Sequence, residues 1–196
     1  MALEIPANYW SGQHCIPMRL PWLVPGAIRA LDAILTPEDS VLELGSGGST
    51  LFFADRCMRV VTFELDPTWA KIVQAALAPS ARGNVDYRLL AKPADAERIL
   101  RQDYAGSRFN IVVPDWTANR EILVPLLGSI IDPARFSLVL DNYAAANLYP
   151  TRTAHDYIDG LAVPTYCRVF DDPHWWGKGT KIYTTVPIPP AEEEVK

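Results

Sequence analysis

Cysteine, histidine, basic charge and long apolar runs are all scarce in this chain, and each shortage closes off a class of function. Its 196 residues hold three cysteines, Cys15, Cys57 and Cys167. An odd set without Cys-x-x-Cys spacing builds neither a disulfide framework nor a zinc or redox motif. Reduced thiols are the expectation, and with them a cytoplasmic location. No segment approaches the ~20 apolar residues that span a bilayer. The opening residues lack the basic start and apolar stretch of a signal peptide, so neither secretion nor membrane insertion is expected. Lys and Arg number 18 against 23 Asp and Glu, a net charge of −5. That balance argues against a phosphate-tracking surface, and so against nucleic acid as a partner.

What remains is an ordinary globular composition, 49% hydrophobic and 21% charged, long enough for one domain with a full core. Little sequence is left over for a separate substrate domain.

The informative stretch is Val41-Leu-Glu-Leu-Gly-Ser-Gly-Gly-Ser-Thr50, followed by Val60-Val-Thr-Phe-Glu-Leu-Asp-Pro67. It reads as an apolar strand, a glycine turn, a helix, and a second apolar strand ending in an acid, the order that nucleotide-type ligands require. Gly45, Gly47 and Gly48 let backbone approach a ligand closely. Glu64 lies 19 positions beyond Gly45, where a carboxylate can accept hydrogen bonds from both hydroxyls of a ribose. A dinucleotide fingerprint needs a third glycine where Thr50 stands, and that glycine serves close helix-to-strand packing. Glu43, two residues before the turn, would repel a pyrophosphate but suits a ligand with a cationic amino-acid tail.

These residues resemble the first motif of the class I S-adenosylmethionine-dependent methyltransferases, an acid, one residue, then a Gly-x-Gly turn. Glu43, Gly45 and Gly47 match it, with Ser49 where that family often has a further glycine. The resemblance implies S-adenosylmethionine as cofactor. Glu43 would meet its methionine end, directly or through water, and the backbone of Gly45 and Gly47 would line its path. Ser49 or Thr50 would add a hydroxyl, Glu64 would hold the ribose, Leu65 would lie beside the adenine, and Ala91 and Lys92 would flank the ring. Lys92 departs from the small polar residue often seen there.

Beyond the motif, strands are expected at 40–44, 59–64, 85–90, 109–113 and 136–140, alternating with helices at 48–57, 67–78, 93–103 and 119–128 after a first short helix over 26–35. Such alternation implies parallel strands with helices on both faces. A further helix is expected near 152–161, then a hairpin of strands 164–171 and 180–186. The fold class is therefore α/β, a Rossmann-like three-layer sandwich on a mostly parallel seven-stranded sheet with one antiparallel strand. The resemblance adds the strand order 3-2-1-4-5-7-6. Residues 1–26, with Pro6, Pro17, Pro21 and Pro25 among Tyr9, Trp10 and Trp22, read as an irregular lead-in, residues 27–186 as the catalytic domain, and 187–196 as a disordered tail.

Ligands of open α/β sheets bind outside the carboxyl ends of the strands. Asp115 follows the fourth strand and Asp141-Asn142 the fifth, 26 positions on. Three oxygen donors there can hold a hard cation, or can simply be turn residues. The positions resemble those of the cation-dependent catechol-type O-methyltransferases, in which they bind magnesium and activate a hydroxyl. That group has a lysine base three residues after the first aspartate, and this chain has Ala118; the nearby Arg120 stays protonated and cannot be the base. The hairpin loop offers His174, Trp175, Trp176 and Lys178. Histidine titrates near neutral pH, so His174 is a candidate base beside Asp115 as a second catalytic residue, with His155 a weaker one. The tryptophans can wall an acceptor or pack against the lead-in or a second copy of the chain in a homodimer.

The function expected is O-methylation of a small molecule, with or without a divalent cation. Methyltransferases of nucleobase amino groups carry Asp/Asn-Pro-Pro-Tyr after the fourth strand, and this chain has Pro114-Asp-Trp-Thr117. Two alternatives stand beside it: a nicotinamide-dependent oxidoreductase, and a non-catalytic cofactor-binding subunit of the same fold.

Overall fold

The computed structural model describes residues 3–7, 9–12, 14–80, 83–118, 120–149, 166–175 and 179–190. Its centre is a sheet of seven strands: β1 (Ser40–Leu44), β2 (Arg59–Glu64), β3 (Val85–Leu89), β4 (Ile111–Pro114), β5 (Ser137–Asp141), β6 (Tyr166–Asp171) and β7 (Gly179–Thr184). They lie in the order β3-β2-β1-β4-β5-β7-β6. Strands β1 to β5 pair in parallel, and β7 runs antiparallel to both β5 and β6. The expected order and the single reversed strand are both found.

Six α-helices and three 3-10 turns accompany the strands among the described residues, the helices being α1 (Cys15–Met18), α2 (Pro25–Ile34), α3 (Gly48–Arg56), α4 (Pro67–Leu77), α5 (Ala94–Asp103) and α6 (Val124–Ile130). Local chemistry sets where several begin. Pro25 and Pro67 occupy first-turn positions, where the missing N–H costs nothing. Asp66 caps α4, its carboxylate accepting from Thr68 N at 2.7 Å and Trp69 N at 3.2 Å. The expected helix over 119–128 is a 3-10 turn, Arg120–Leu123, running into α6; Pro125 fits only in a first turn.

Because neighbouring strand residues face opposite ways, β1 feeds two cores. Leu42 and Leu44 join Val61, Phe63, Val112 and Leu138 under α5 and α6. Val41 joins Val60, Val113, Val139 and Ile182 under α2 and α3. The lead-in belongs to this second core rather than hanging beside it. Tyr9, Leu20, Leu23 and Val24 are buried there, and the Tyr9 hydroxyl donates to Pro21 O at 2.5 Å. The lead-in is also less irregular than expected, since it contains a 3-10 turn at Tyr9–Ser11 and helix α1. The first part of the expected disordered tail is held as well: Ile188 packs against the same core, and Arg168 Nη1 donates to Pro189 O at 2.8 Å. The expected helix near 152–161, His155, Trp176, Lys178 and the last six residues lie outside the described residues.

No helix among the described residues is long and apolar enough to cross a membrane.

Candidate active site

Strand β1 delivers its chain into the turn at Gly45, which sits at φ 89°, a left-handed conformation that glycine adopts freely. A Cβ there would also meet the backbone of Asp115 and Trp116 at 2.9 Å. Gly48 faces a tighter approach: a Cβ would lie 2.0 Å from Leu20 O and 2.5 Å from Cys15 O. Two of the three glycines therefore make room for the chain's own backbone. Only Gly47 has open space beside it, since a Cβ there would come no nearer than 3.9 Å to Ser49 Oγ and the Trp69 ring.

That open side faces a cleft of about 770 Å3, within the size of ligand sites in general. Gly45, Ser46, Gly47, Gly48 and Ser49 form one wall, Glu64, Leu65, Asp66 and Trp69 a second, and Ser11, Gly12, Cys15 and Trp22 of the lead-in a third. Trp69 fastens the turn, its indole N–H donating to Ser46 O at 2.6 Å.

Glu43 lies beneath this cleft with no exposed surface. Its Oε2 accepts from Thr50 Oγ1 at 2.5 Å and Thr62 Oγ1 at 2.7 Å, and Thr50 Oγ1 in turn accepts from Gly47 N at 2.9 Å. Oε1 is buried without a hydrogen bond of normal geometry among the described residues. Burial pushes this carboxyl up to about 7; the Ser49, Thr50 and Thr62 hydroxyls oppose the shift, and the charge of Asp115 adds to it. Glu64 is placed differently. Its Oε2 accepts from Ser46 N and Ser46 Oγ, both at 2.8 Å, and its Oε1 from Leu65 N at 2.7 Å and Asp66 N at 2.9 Å. It therefore braces the glycine turn against the end of β2, with its side facing the cleft.

At Trp22, Asp115 and Thr117 the cleft adjoins a second pocket of about 440 Å3. Trp22, Leu148 and Trp175 give it apolar walls, and His174, Asn142 and Asn147 also line it. The two indoles meet edge to face, centroids 6.4 Å apart at 66°. His174 Nδ1 is 3.0 Å from Asp172 Oδ1, which also accepts from His174 N at 2.8 Å. Held so, the imidazole can keep its Nδ1 proton on the aspartate and leave Nε2 as the basic nitrogen.

Beneath the pocket, Arg120 ties the ends of β4 and β5 together, only 6% exposed. Its Nε donates to Trp116 O at 2.9 Å, Nη1 to Asp141 O at 2.7 Å and Tyr149 Oη at 3.3 Å, and Nη2 lies 2.8 Å from Asp115 Oδ1. Asp141 Oδ1 accepts from Thr180 Oγ1 at 2.6 Å and Oδ2 from the Trp175 indole at 3.3 Å. Burial raises both carboxyls; the charge of Asp115 raises Asp141 further, and Arg120 opposes the rise in each.

No protein-family model matches the sequence, and a search of curated proteins returns no significant match. Solved structures do match in shape. An O-methyltransferase from Bacillus cereus in complex with SAH has a TM-score of 0.66 at 15% identity, over 93% of this chain and 92% of that one. The O-methyltransferase TomG from Streptomyces achromogenes, in complex with SAM, has a TM-score of 0.64 at 17% identity, over 93% and 91%. An rRNA methylase from Streptococcus thermophilus has a TM-score of 0.53 at 12% identity, over 79% and 90%.

The chain has the class I methyltransferase fold. Of the residues expected to hold the cofactor, Gly45, Gly47, Ser49, Glu64 and Leu65 line the cleft. Glu43 and Thr50 stand one layer behind it, joined to it through hydrogen bonds. Ala91 and Lys92 are exposed and do not line it. Asp115, Asp141, Asn142 and His174 meet at the second pocket.

The donor set there does not fit a resident magnesium ion. One Asp115 oxygen is committed to a guanidinium and both Asp141 oxygens to protein donors, whereas a divalent cation needs those oxygens turned toward it. Among the described residues, no group of three or more His, Cys, Asp or Glu is placed to hold a metal. Four contributors carried no sequence signal. Ser46, Thr62, Trp69 and Trp22 act through strand register and through the path of the lead-in, neither of which a linear pattern displays.

Proposed function

We propose that the protein is an S-adenosylmethionine-dependent methyltransferase acting on a hydroxyl of a small molecule, without a resident metal. One observation carries the reading: a cleft bounded by the glycine turn and Glu64, with the buried Glu43 behind it, adjoins at Asp115 a second pocket lined by His174, whose ring is paired with Asp172.

When bound, the cofactor supplies a methyl group already activated by its sulfonium centre. The protein's part is to bind, align and exclude water. Gly47 and Ser49 offer backbone and a hydroxyl to the amino-acid end, and the buried negative charge of Glu43 favours a cation there. Glu64 and Leu65 serve the ribose and adenine. In the second pocket Trp22, Leu148 and Trp175 favour a flat or apolar acceptor, and Asp115 stands at the junction to orient its hydroxyl. His174, oriented by Asp172, removes the hydroxyl proton at Nε2. The two bound O-methyltransferases of the same fold support the cofactor assignment. Nothing favours the nicotinamide alternative, because the fully buried Thr50 hydroxyl is committed to Glu43 where the dinucleotide fingerprint needs glycine.

Labelled S-adenosylmethionine incubated with a panel of phenols, vicinal diols and aliphatic alcohols tests this reading. Label in the organic phase, unchanged by EDTA, is the expected result. Cofactor binding with no transfer to any acceptor would favour the non-catalytic subunit, and transfer abolished by EDTA would reinstate the cation.

A further inference from the structure

Glu64 already carries as many hydrogen bonds as a carboxylate accepts. Its two oxygens take the backbone N–H groups of Ser46, Leu65 and Asp66 and the hydroxyl of Ser46, at 2.7–2.9 Å, and a carboxylate offers about four lone-pair sites. A sugar diol arriving at Glu64 therefore finds no free acceptor. Three of the four donors are backbone groups fixed by the turns at the ends of β1 and β2. The fourth is a serine hydroxyl that moves by rotation about a single bond.

A second partner waits for that hydroxyl. Tyr87 on β3 places its phenolic oxygen 2.6 Å from Ser46 Oγ. Ser46 gives its proton to Glu64, so Tyr87 is the donor between the two hydroxyls. Once Ser46 lets go of Glu64, it keeps a partner in Tyr87 and leaves one carboxylate site for an incoming hydroxyl.

We propose that Ser46 and Tyr87 form a ribose-responsive latch: Ser46 Oγ holds the place of a sugar hydroxyl on Glu64 and yields it to the ligand's diol while remaining bonded to Tyr87. The proposal rests on the cofactor reading above. It makes Ser46 a competitor of the ligand and Tyr87 the group that eases its release. A ligand without ribose hydroxyls gains nothing by displacing the serine.

Calorimetric titration of the full chain with S-adenosylhomocysteine, and separately with adenosine and 2′,3′-dideoxyadenosine, tests the latch in Ser46→Ala, Tyr87→Phe and the double variant. Removing one competing hydrogen bond is expected to tighten S-adenosylhomocysteine binding about three- to tenfold in Ser46→Ala. Tyr87→Phe alone is expected to weaken it by a similar factor, because the displaced serine is left without a partner. In the Ser46→Ala background the same tyrosine change is expected to alter affinity less than about twofold, since no hydroxyl remains to receive. Adenosine is expected to show the same pattern, and dideoxyadenosine no gain from Ser46→Ala. Weaker S-adenosylhomocysteine binding by Ser46→Ala, or independent effects of the two substitutions, would overturn the latch while leaving the cofactor reading intact. A chain that binds neither S-adenosylhomocysteine nor adenosine would overturn both.

Discussion

Glu43 holds a carboxyl with no exposed surface, and its ionisation costs free energy unless a cation is near. Its folded-state value of about 7 lies above the ordinary 4.5, so the folded protein binds this proton more tightly than the unfolded chain. The sign follows: the site favours folding most below pH 4.5, and its contribution falls as pH rises to about 7. The whole swing is on the order of 3 kcal/mol. Glu43→Gln is expected to flatten the dependence of the melting temperature on pH between 5 and 8. An ammonium group placed near Glu43 reverses the preference, so S-adenosylhomocysteine, which carries one at its amino-acid end, should bind more tightly at pH 8 than at pH 6, and the variant should lose most of that difference. At the acceptor side, His174→Ala is expected to lower turnover about 100- to 10,000-fold, as removing a general base does, with S-adenosylhomocysteine binding unchanged. The imidazole is 64% exposed, so folding should survive. The positions of both acids beside the glycine turn were readable in the sequence. That Glu43 lies behind the cleft was not, because its burial involves Thr62, its register partner on β2.

At the scale of elements, the glycine turn and lead-in helix α1 form one unit. Backbone oxygens of Cys15 and Leu20 press on Gly48, so the lead-in roofs the cleft only where that residue has no side chain. Gly48→Ala is expected to destabilise the fold by about 3 kcal/mol or more, an overpacking cost, and to spoil ligand binding with it. Gly47→Ala should leave urea unfolding near that of the unaltered chain and weaken only the ligand. Equal loss of stability in the two variants would contradict this division of roles. The strands were readable because each is an apolar run bounded by turn residues, whereas their order came from the family resemblance and not from the pattern itself. The lead-in was not readable, since its prolines mark only where regular structure stops. Its burial is decided by residues far along the chain, as where Val24 N donates to Thr180 Oγ1 at 3.3 Å. The 119–128 segment misled for a related reason: Arg120 is held by Trp116, Asp141, Asp115 and Tyr149 rather than by helical periodicity.

Over the whole molecule, Arg120 joins the carboxyl ends of β4 and β5 beneath the second pocket. Arg120→Met leaves Asp115, 24% exposed at the pocket junction, without its ion pair and the carbonyls of Trp116 and Asp141 without the guanidinium donor, and is expected to cost about 2–3 kcal/mol in urea unfolding. An unfolding midpoint equal to that of the unaltered chain would mean the guanidinium is not the tie described here. The fold leaves the acceptor open, since it is shared with an rRNA methylase as well as with O-methyltransferases; the walls of the second pocket must choose it. The central claim concerns the first pocket, and titration calorimetry with S-adenosylhomocysteine reaches it most directly. One site per chain with micromolar affinity, weakened at least tenfold by Gly47→Val, is the expected result. No heat at millimolar ligand, from a chain shown to be folded, would contradict it.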